Sequence, residues 1–506
     1  MRQRLLSLLT VALLAGACGS SSSGTTGPGS GGNEPPQHHG ATQPPRYVPD
    51  ETEPPADPDV PQNPETDPAD DEVSTFGLDI DTASYTMARH AVDAGVWPDA
   101  ASVRVEEWVN AFDQGYERPT DGTFAIAVDG GPTPFTAEDE LLLRVGIAGR
   151  DVRDRARDDA ALTFVIDTSG SMEQHGRLEL VKDALRVLVH ELRPDDTIAI
   201  VTFGDDARVI LEPTSAAESW AIIDEIDRLR PNGSTNLEAG LRLGYELARA
   251  SLTEHGIDRV ILASDGVANV GLTDPEGILG QIREDAAAGI ELVSIGVGMG
   301  DYNDVLLEQL SNEGDGFYAY VNDVAEAERL FIEDLTGSLQ AIALDARAQV
   351  EFDGDAVASY RLLGYENRAI DDDDFTDDSV DAGAIGAGHE VTALYALRLQ
   401  REVDDDDRLA VVRLRWTDPE RNEPFEIATP IRLREVSTSF RQTSAHLRFD
   451  ALVAATAEIL RGTSTAPRIG FDELAALASE LEEDLPATDQ VHDFLILLDG
   501  LSAMER

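Results

Sequence analysis

Three short segments of the chain carry side chains whose oxygen atoms could hold a divalent cation. They are Asp167-Thr168-Ser169-Gly170-Ser171, Gly233-Ser234-Thr235-Asn236 and Ser264-Asp265-Gly266. Together they supply two carboxylates and three hydroxyls, on Asp167, Ser169, Ser171, Thr235 and Asp265, with no thiol and no imidazole. Few carboxylates in an all-oxygen set are typical of Mg²⁺ or Mn²⁺ sites. The residues therefore predict such a site, with positions left for water or for a carboxylate of another molecule.

The apolar pattern around these segments alternates between short strands and amphipathic helices. Leu162 to Ile166 is an apolar run directly before Asp167, and Val260 to Ala263 is another directly before Ser264. The pattern predicts strands at 162–166, 198–203, 209–211, 260–263, 292–297 and 317–321, and helices at 178–192, 222–229, 237–250, 278–288, 305–310 and 325–335. Buried strands separated by helices indicate an α/β fold with a doubly wound, mostly parallel sheet. In such sheets ligands bind at the carboxyl ends of the strands, where these segments lie.

With these residues, the region resembles the von Willebrand factor type A family, whose fold is Rossmann-like. Asp167-x-Ser169-x-Ser171 matches the first motif of the family's metal-ion-dependent adhesion site. Thr235 matches the threonine of its second loop, and Asp265 matches the aspartate of its third. The resemblance covers about residues 160 to 336. It implies that the hydroxyls bind the metal directly or nearly so, that the aspartates act partly through water, and that an acidic residue of a partner takes the open position.

The flanking regions resemble a narrower group, the envelope-anchored bacterial type A domain proteins. The resemblance lies in Ser74 to Tyr85, Val103 to Asp113 and Glu390 to Tyr395. We therefore expect an N-terminal associated segment at 73–155, the type A domain at 160–336 and an α+β C-terminal domain at 337–506. In the last region the pattern predicts strands at 394–399, 409–414 and 425–433, and then helices from about 438 to 501.

The amino terminus predicts export and a lipid anchor. Arg2 and Arg4 precede an apolar run from Leu5 to Leu14, which is too short to span a bilayer. Residues 14–18 read Leu-Ala-Gly-Ala-Cys, which resembles a bacterial lipobox, and Cys18 is the only cysteine of the chain. We expect residues 1–17 to be a signal peptide and Cys18 to carry the lipid. An ordinary cleaved signal with a chance cysteine is the alternative.

Residues 18–72 predict a disordered tether between this anchor and the folded part. They begin with Gly, Ser and Thr and continue with prolines and acidic residues, a composition that cannot bury enough apolar surface to fold. The expected location is the cell envelope. Gly19 favours the outer membrane of a Gram-negative cell, because an aspartate there would resemble an inner-membrane retention signal.

The charge balance excludes several classes of partner. Of 506 residues, 97 are acidic and 39 are Lys or Arg, which gives a formal net charge of −58. A nucleic-acid-binding surface needs a basic stripe that displaces counterions from phosphates, so we expect no nucleic-acid partner. The same charge argues against electrostatic docking on an anionic membrane surface.

A phosphatase is one alternative. Asp79-Ile80-Asp81-Thr82 and Gly300-Asp301-Tyr302-Asn303-Asp304 resemble parts of a haloacid dehalogenase-type phosphatase, which needs a nucleophilic aspartate and a cation that neutralises the aspartyl phosphate. The only lysine, Lys182, lies opposite the apolar stripe of its helix and is expected to face solvent. Since the complete set of metal-site residues typical of the type A family lies between these two fragments, we expect a protein that is not an enzyme.

The expected function is binding of an unidentified partner protein through the divalent cation, with the partner presenting an acidic residue to the metal. The alternative within the same fold is a structural envelope scaffold, in which the metal only stabilises the loops.

Overall fold

The computed structural model describes residues 61–505 with short gaps at 79–80, 136–139, 153–156, 253–255, 266–274, 299–303, 331–339, 378–379, 381, 420, 482–483 and 486–488. The predicted signal peptide, Cys18 and the predicted tether up to residue 60 lie outside the described residues. Among the residues that are described, no helix is both long enough and apolar enough to cross a membrane.

Strands and helices of the described residues are numbered here in chain order. The strands are β1 (Val73–Gly77), β2 (Phe124–Pro132), β3 (Glu140–Gly149), β4 (Ala160–Asp167), β5 (Thr197–Phe203), β6 (Ala207–Ser215), β7 (Ile257–Ser264), β8 (Ile290–Val297), β9 (Tyr318–Val321), β10 (Ala341–Phe352), β11 (Val357–Leu363), β12 (Ile385–Gly386), β13 (Glu390–Leu399), β14 (Arg408–Asp418) and β15 (Glu423–Arg432). The α-helices are α1 (Ala83–Asp93), α2 (Val105–Asn110), α3 (Arg177–Glu191), α4 (Ser219–Arg228), α5 (Leu237–Ala250), α6 (Pro275–Ala286), α7 (Asp304–Asn312), α8 (Val324–Arg329), α9 (Ala445–Arg461), α10 (Phe471–Leu481) and α11 (Asp489–Glu505).

The middle of the chain forms a six-stranded sheet in the order β6-β5-β4-β7-β8-β9. All neighbouring strands are parallel except β5 and β6, which form an antiparallel hairpin. The predicted α/β class with a doubly wound, mostly parallel sheet is confirmed. The strand order reverses at β4, because β5 lies on one side of it and β7 on the other. The carboxyl ends of β4 and β7 therefore open onto the crevice where such sheets bind ligands.

Helices cover both faces of this sheet because its central strand is apolar on both sides. Leu162, Phe164 and Ile166 of β4 belong to one core, to which α3 and α4 contribute, whereas Val165 belongs to the opposite core with α5, α6 and α7. Gly244 lets α5 pack closely, since an added Cβ there would lie 2.3 Å from Val165 Cγ2. This two-sided burial holds the end of β4, and with it the first metal-site motif, in place.

The regions before and after the type A domain share their sheets. One sheet has the order β1-β10-β14-β15, with β12 paired to β10, and the other has the order β11-β13-β3-β2. Thus β1 and β3 of the N-terminal segment pair with β10 and β13 of the C-terminal region. The chain leaves this body after β3 and returns at β10. An added Cβ on Gly149, the last residue of β3, would lie 2.7 Å from Ile342 Cδ1 of β10. The two points at which the chain leaves and re-enters this body are therefore in contact.

This flanking body has three layers. Side chains of both sheets meet in one core, to which Phe76, Val145, Val350 and Leu414 belong. On the other face of the β11-β13-β3-β2 sheet, Leu142 and Leu394 contribute to a second core with helices from both ends of the chain. The large side chains of that core are Trp108, Phe112, Phe449, Phe471 and Phe494.

Residues 61–67, which we call the strap, lie on the folded body, although the sequence assigned them to the tether. Thr66 and Tyr360 exchange backbone hydrogen bonds of 2.8 and 2.9 Å beside β11. Asn63 Nδ2 donates to the carbonyls of Leu362 and Gly364 at 3.2 and 2.6 Å. The prediction of a disordered tether to residue 72 is therefore wrong beyond residue 60, because polar side chains and backbone pairing fix a segment that has little apolar surface.

The expectation that Lys182 faces solvent is also wrong. Lys182 is 3% exposed, and its Nζ pairs with Glu179 Oε1 at 2.9 Å. The reason is helical spacing: Lys182 follows Leu178 by four residues, so it lies on the buried face of α3 and not opposite it.

Candidate metal centre

The first motif begins where β4 ends. Asp167 is fully buried and its carboxylate is held on both oxygens, because Ser169 N donates to Oδ1 at 2.7 Å and Ser264 Oγ donates to Oδ2 at 2.9 Å. Ser264 is the last residue of β7, so this bond joins the first and third predicted segments. Ser169 Oγ lies 2.9 Å from Ser171 Oγ. The structure thus brings Asp167 and both serines of the motif into one cluster.

The second segment is bound to the first by its backbone. Asn232 N donates to Thr168 O at 2.5 Å, and Gly170 N donates to Gly233 O at 3.0 Å. Gly233 has a φ of +84°, which a side chain would strain. Two residues later, Thr235 is 5% exposed. Three residues after Gly233, Asn236 caps α5 by accepting from Ala239 N at 3.1 Å, so this helix fixes the end of the segment.

The third segment brings a contact that the sequence did not predict. Asp265 is 5% exposed, and its Oδ2 accepts a hydrogen bond of 2.7 Å from Arg177 Nη1. The same Nη1 lies 3.4 Å from the carbonyl of Ser171. An added Cβ on Gly298, directly after β8, would lie 2.5 Å from Arg177 Cγ, so the glycine leaves room for this arginine. A buried guanidinium therefore contacts the first and third segments of the candidate site.

Burial changes the acidity of the central carboxyl group. Loss of hydration raises the pKa of Asp167 to about 6, against the opposing hydrogen bonds from Ser169 and Ser264, and the neighbouring Asp265 raises it further. An anion held in such surroundings gains from a nearby positive charge. A cation bound beside Asp167 would supply that charge and would stabilise the ionised form.

The donor set fits Mg²⁺ or Mn²⁺. The Ser169 and Ser171 hydroxyls share a hydrogen bond of 2.9 Å, and adjacent ligands of an octahedral cation with metal–oxygen bonds of about 2.05 Å would have a similar spacing. Among the described residues, no group of three or more His, Cys, Asp or Glu side chains could hold a metal. A cation here would therefore depend on hydroxyls as well as carboxylates, and the three segments supply both kinds of ligand.

The phosphatase fragments do not form a described site. Asp79 and residues 300–303 lie outside the described residues. Asp81 is 2% exposed and accepts from Tyr318 N of β9 at 3.0 Å and from Arg368 Nη2 at 3.1 Å. These bonds join the type A sheet to both flanking regions, so the position of Asp81 is explained by a structural role.

Comparison with known proteins identifies the family. The model described as von Willebrand factor type A domain matches residues 161–333, and one described as von Willebrand factor matches residues 58–143. The model of the C-terminal region of the uncharacterized protein YfbK matches residues 337–503. YfbK of Escherichia coli K12 is 33% identical over 449 residues, which are 84% of this chain and 77% of that protein. The chain belongs to the bacterial von Willebrand factor type A domain proteins.

More distant proteins share part of the chain. Inter-alpha-trypsin inhibitor heavy chain H2 of Mus musculus is 32% identical over 164 residues, which are 31% of this chain and 17% of that protein. Among solved structures, a von Willebrand factor type A protein from Catenulispora acidiphila matches with a TM-score of 0.44 and 17% identity, covering 77% of this chain and 98% of that one. Type A domains are in general protein-interaction or adhesion domains without catalytic activity, and they commonly bind a divalent metal.

Proposed function

We propose that this protein is a lipid-anchored envelope protein that captures a partner protein through a divalent cation, Mg²⁺ or Mn²⁺, held by the type A domain. The observation that carries the proposal is the joining of three separate chain segments at the carboxyl edge of β4 and β7, with two hydroxyls at the spacing of adjacent octahedral ligands. Asp167, Ser169, Ser171, Thr235 and Asp265 would hold the cation. The cation would supply a Lewis-acidic position for a carboxylate of the partner.

The charge of the chain restricts the partner. A surface with a net charge of −58 repels most acidic proteins, because like charges across an interface cost free energy. A cation with few carboxylate ligands nevertheless favours a carboxylate as its remaining ligand. The partner that satisfies both conditions presents one acidic residue within a basic or neutral surround.

Removal of one carboxylate tests the metal. Asp167→Ala leaves Asp265 as the single carboxylate of the proposed set, so we expect loss of Mg²⁺ and Mn²⁺ binding in calorimetry while the circular dichroism spectrum stays native. Asp206→Ala is the matched control, because Asp206 is an exposed aspartate on the neighbouring β5–β6 loop. Equal metal affinity of wild type and Asp167→Ala would place the metal elsewhere.

Capture from envelope extract tests the partner. The immobilised protein should retain a partner in Mg²⁺ and release it in chelator, and Asp167→Ala should retain none. Across a salt series, association should slow as salt rises if a basic surround attracts this acidic protein. A complex that persists unchanged in chelator would contradict metal-dependent capture and would favour the scaffold alternative.

The anchor is tested separately. Cys18→Ala should leave the protein unprocessed or release it from membranes, and fractionation of the wild type should recover it with the outer membrane. A Cys18→Ala protein that is still lipidated and membrane-bound would refute the lipobox.

A further inference from the structure

The β5–β6 loop, residues 204–206, lies against the second segment of the candidate metal centre. Asp205 Oδ1 accepts two hydrogen bonds from Ser234, one from its backbone N–H and one from its hydroxyl, both at 2.8 Å. The backbone carbonyl of Gly204 accepts a third hydrogen bond, from Asn236 N at 3.0 Å. Thr235 is therefore flanked by two residues that are both bound by this loop.

The loop and the segment approach each other so closely that each carries a glycine at the contact. A Cβ added to Gly204 would lie 2.4 Å from the carbonyl oxygen of Asn232. A Cβ added to Gly233 would lie 2.7 Å from Cγ of Asp205. Glycine permits such an approach of one backbone to another, so the sequences of both segments favour this contact.

The contact is exposed, but it holds a buried residue. Asp205 and Ser234 are exposed, whereas Thr235 is 5% exposed. Hydrogen bonds from the Ser234 backbone and hydroxyl lower the pKa of Asp205, so the acceptor is an ionised carboxylate at neutral pH. Hydrogen bonds to an ionised acceptor are about twice as strong as those between neutral groups. Because both bonded side chains are exposed, removing Asp205 should loosen the segment without disturbing a hydrophobic core.

We propose that Asp205 is a positioning residue of the metal site, which holds Ser234 and thereby fixes the hydroxyl of Thr235 at the cation. This inference rests on the proposed function, because Thr235 is one of the residues proposed to hold the cation. Groups that orient a metal ligand contribute about 10–100-fold to metal affinity. Asp205 acts on the neighbour of a ligand and not on the ligand itself, so we expect the lower end of that range, about tenfold.

A second carboxylate of the same loop separates position from charge. Asp206 is also exposed, and its carboxylate lies 3.8 Å from Arg208 Nη2, in an ion pair within the hairpin. Asp206→Ala therefore removes the same charge from the loop and keeps the hydrogen bonds between Asp205 and Ser234. It is the matched control for Asp205→Ala.

The test measures Mg²⁺ affinity of the full-length protein by calorimetry. Asp205→Ala should bind Mg²⁺ about tenfold more weakly than Asp206→Ala, with a native circular dichroism spectrum. Asp205→Asn loses the charge but keeps an oxygen acceptor for Ser234, so it should bind Mg²⁺ as Asp206→Ala does. Gly204→Ala should also weaken Mg²⁺ binding, because its methyl group displaces the carbonyl of Asn232 without any change of charge.

A second measurement does not require the metal. In chelator, hydrogen exchange read by mass spectrometry on peptides spanning residues 232–236 should be faster in Asp205→Ala than in Asp206→Ala or wild type, because local opening costs less once the two hydrogen bonds are lost. Unchanged exchange would show that these bonds do not hold the segment, and would overturn the inference.

The metal titrations distinguish failure of this inference from failure of the proposed function. Suppose that wild type binds Mg²⁺ and Asp167→Ala does not: equal affinities of Asp205→Ala and Asp206→Ala would then overturn the inference alone. Asp205→Asn binding as weakly as Asp205→Ala would also overturn it, because the site would then need the carboxylate itself and not a hydrogen-bond acceptor. A wild type that binds no Mg²⁺ would refute the proposed function, and the role of Asp205 with it.

Discussion

Arg177 should compete with the proposed metal for Asp265. The guanidinium and the carboxylate form a buried ion pair of 2.7 Å, with 6% and 0% of the two side chains exposed. A cation bound at the same carboxylate would meet a fixed positive charge in its immediate surroundings. Arg177→Gln removes that charge and keeps an N–H donor on a shorter, neutral side chain. We therefore expect the variant to bind Mg²⁺ more tightly than wild type.

The magnitude follows from charge and distance. Adding the 2.7 Å of the ion pair to a metal–oxygen bond of about 2.1 Å, or to a bridging water, gives a separation of about 5–7 Å. At an effective dielectric constant of about 20, a unit charge and a divalent cation at that distance repel by about 5 kcal/mol. Relaxation of Asp265, once it has lost this partner, offsets part of that gain. A net gain of about 1–3 kcal/mol, or roughly 5- to 150-fold in affinity, is the expected result.

Stability without metal should change in the opposite direction. Breaking a buried ion pair from one side costs about 3–5 kcal/mol, so Arg177→Gln should melt at a lower temperature than wild type in chelator. Saturating Mg²⁺ should then raise the melting temperature of the variant more than that of wild type, because a ligand stabilises the folded state in proportion to its binding free energy.

Thermal melts and calorimetry with and without Mg²⁺ measure both effects. Arg259→Gln is the control, since Arg259 pairs with Glu291 in the same domain but near the amino end of β7, away from the candidate metal centre. It should lose stability without any change in metal affinity. Weaker Mg²⁺ binding by Arg177→Gln would refute the reasoning and would make Arg177 a residue that positions Asp265 for the metal.

Two further predictions concern stability. Burial, with Arg259 and Arg118 nearby, lowers the pKa of His389 to about 4. Below its unfolded pKa of about 6.5 the unfolded chain binds a proton that the folded state refuses, so stability should fall by about 1–3 kcal/mol between pH 6.5 and pH 4; urea titrations should show that His389→Gln reduces this loss, and an identical pH profile would contradict it. Gly244→Ala should destabilise by about 1–3 kcal/mol through overpacking against Val165, whereas Gly280→Ala, whose Cβ would meet nothing within 4 Å, should be neutral or slightly stabilising in the same titration.

The type A domain could be predicted from the sequence because its signals are local. Each parallel strand is an apolar run followed by a helical stripe, and each predicted site residue follows a predicted strand or precedes a predicted helix. The run from Leu162 to Ile166, for example, corresponds to β4. The antiparallel pairing of β5 and β6 also follows from the sequence, because the connection between these two strands is too short for the crossover that parallel neighbours need.

The shared sheets of the flanking body could not be predicted, because pairing between distant segments leaves no periodic signal. In the ladder of β3 and β13, Leu143 lies opposite Tyr395, and neither neighbourhood in the sequence indicates the other. The role of Arg177 was missed for a related reason. Its sequence position indicates only the first residue of a helix, while its ion pair depends on the end of β7 approaching that helix in three dimensions.

The contact between Gly149 and Ile342, where the chain leaves and re-enters the flanking body, bears on how the protein is made. Strand β3 emerges from the ribosome about 240 residues before its partner β13, which at about 5–20 residues per second is a delay of roughly 12–50 seconds. During that time the β2–β3 hairpin has no cover for the edge that β13 will occupy, whereas the type A domain has all its strands once β9 has been made, about 70 residues before β13. Synthesis therefore favours completion of the inserted domain first, and the host domain closes around two chain ends that the insert has already brought together. A chaperone that shields unpaired strand edges would therefore act on this hairpin, and on β1, which waits in the same way for β10, until the C-terminal region is made.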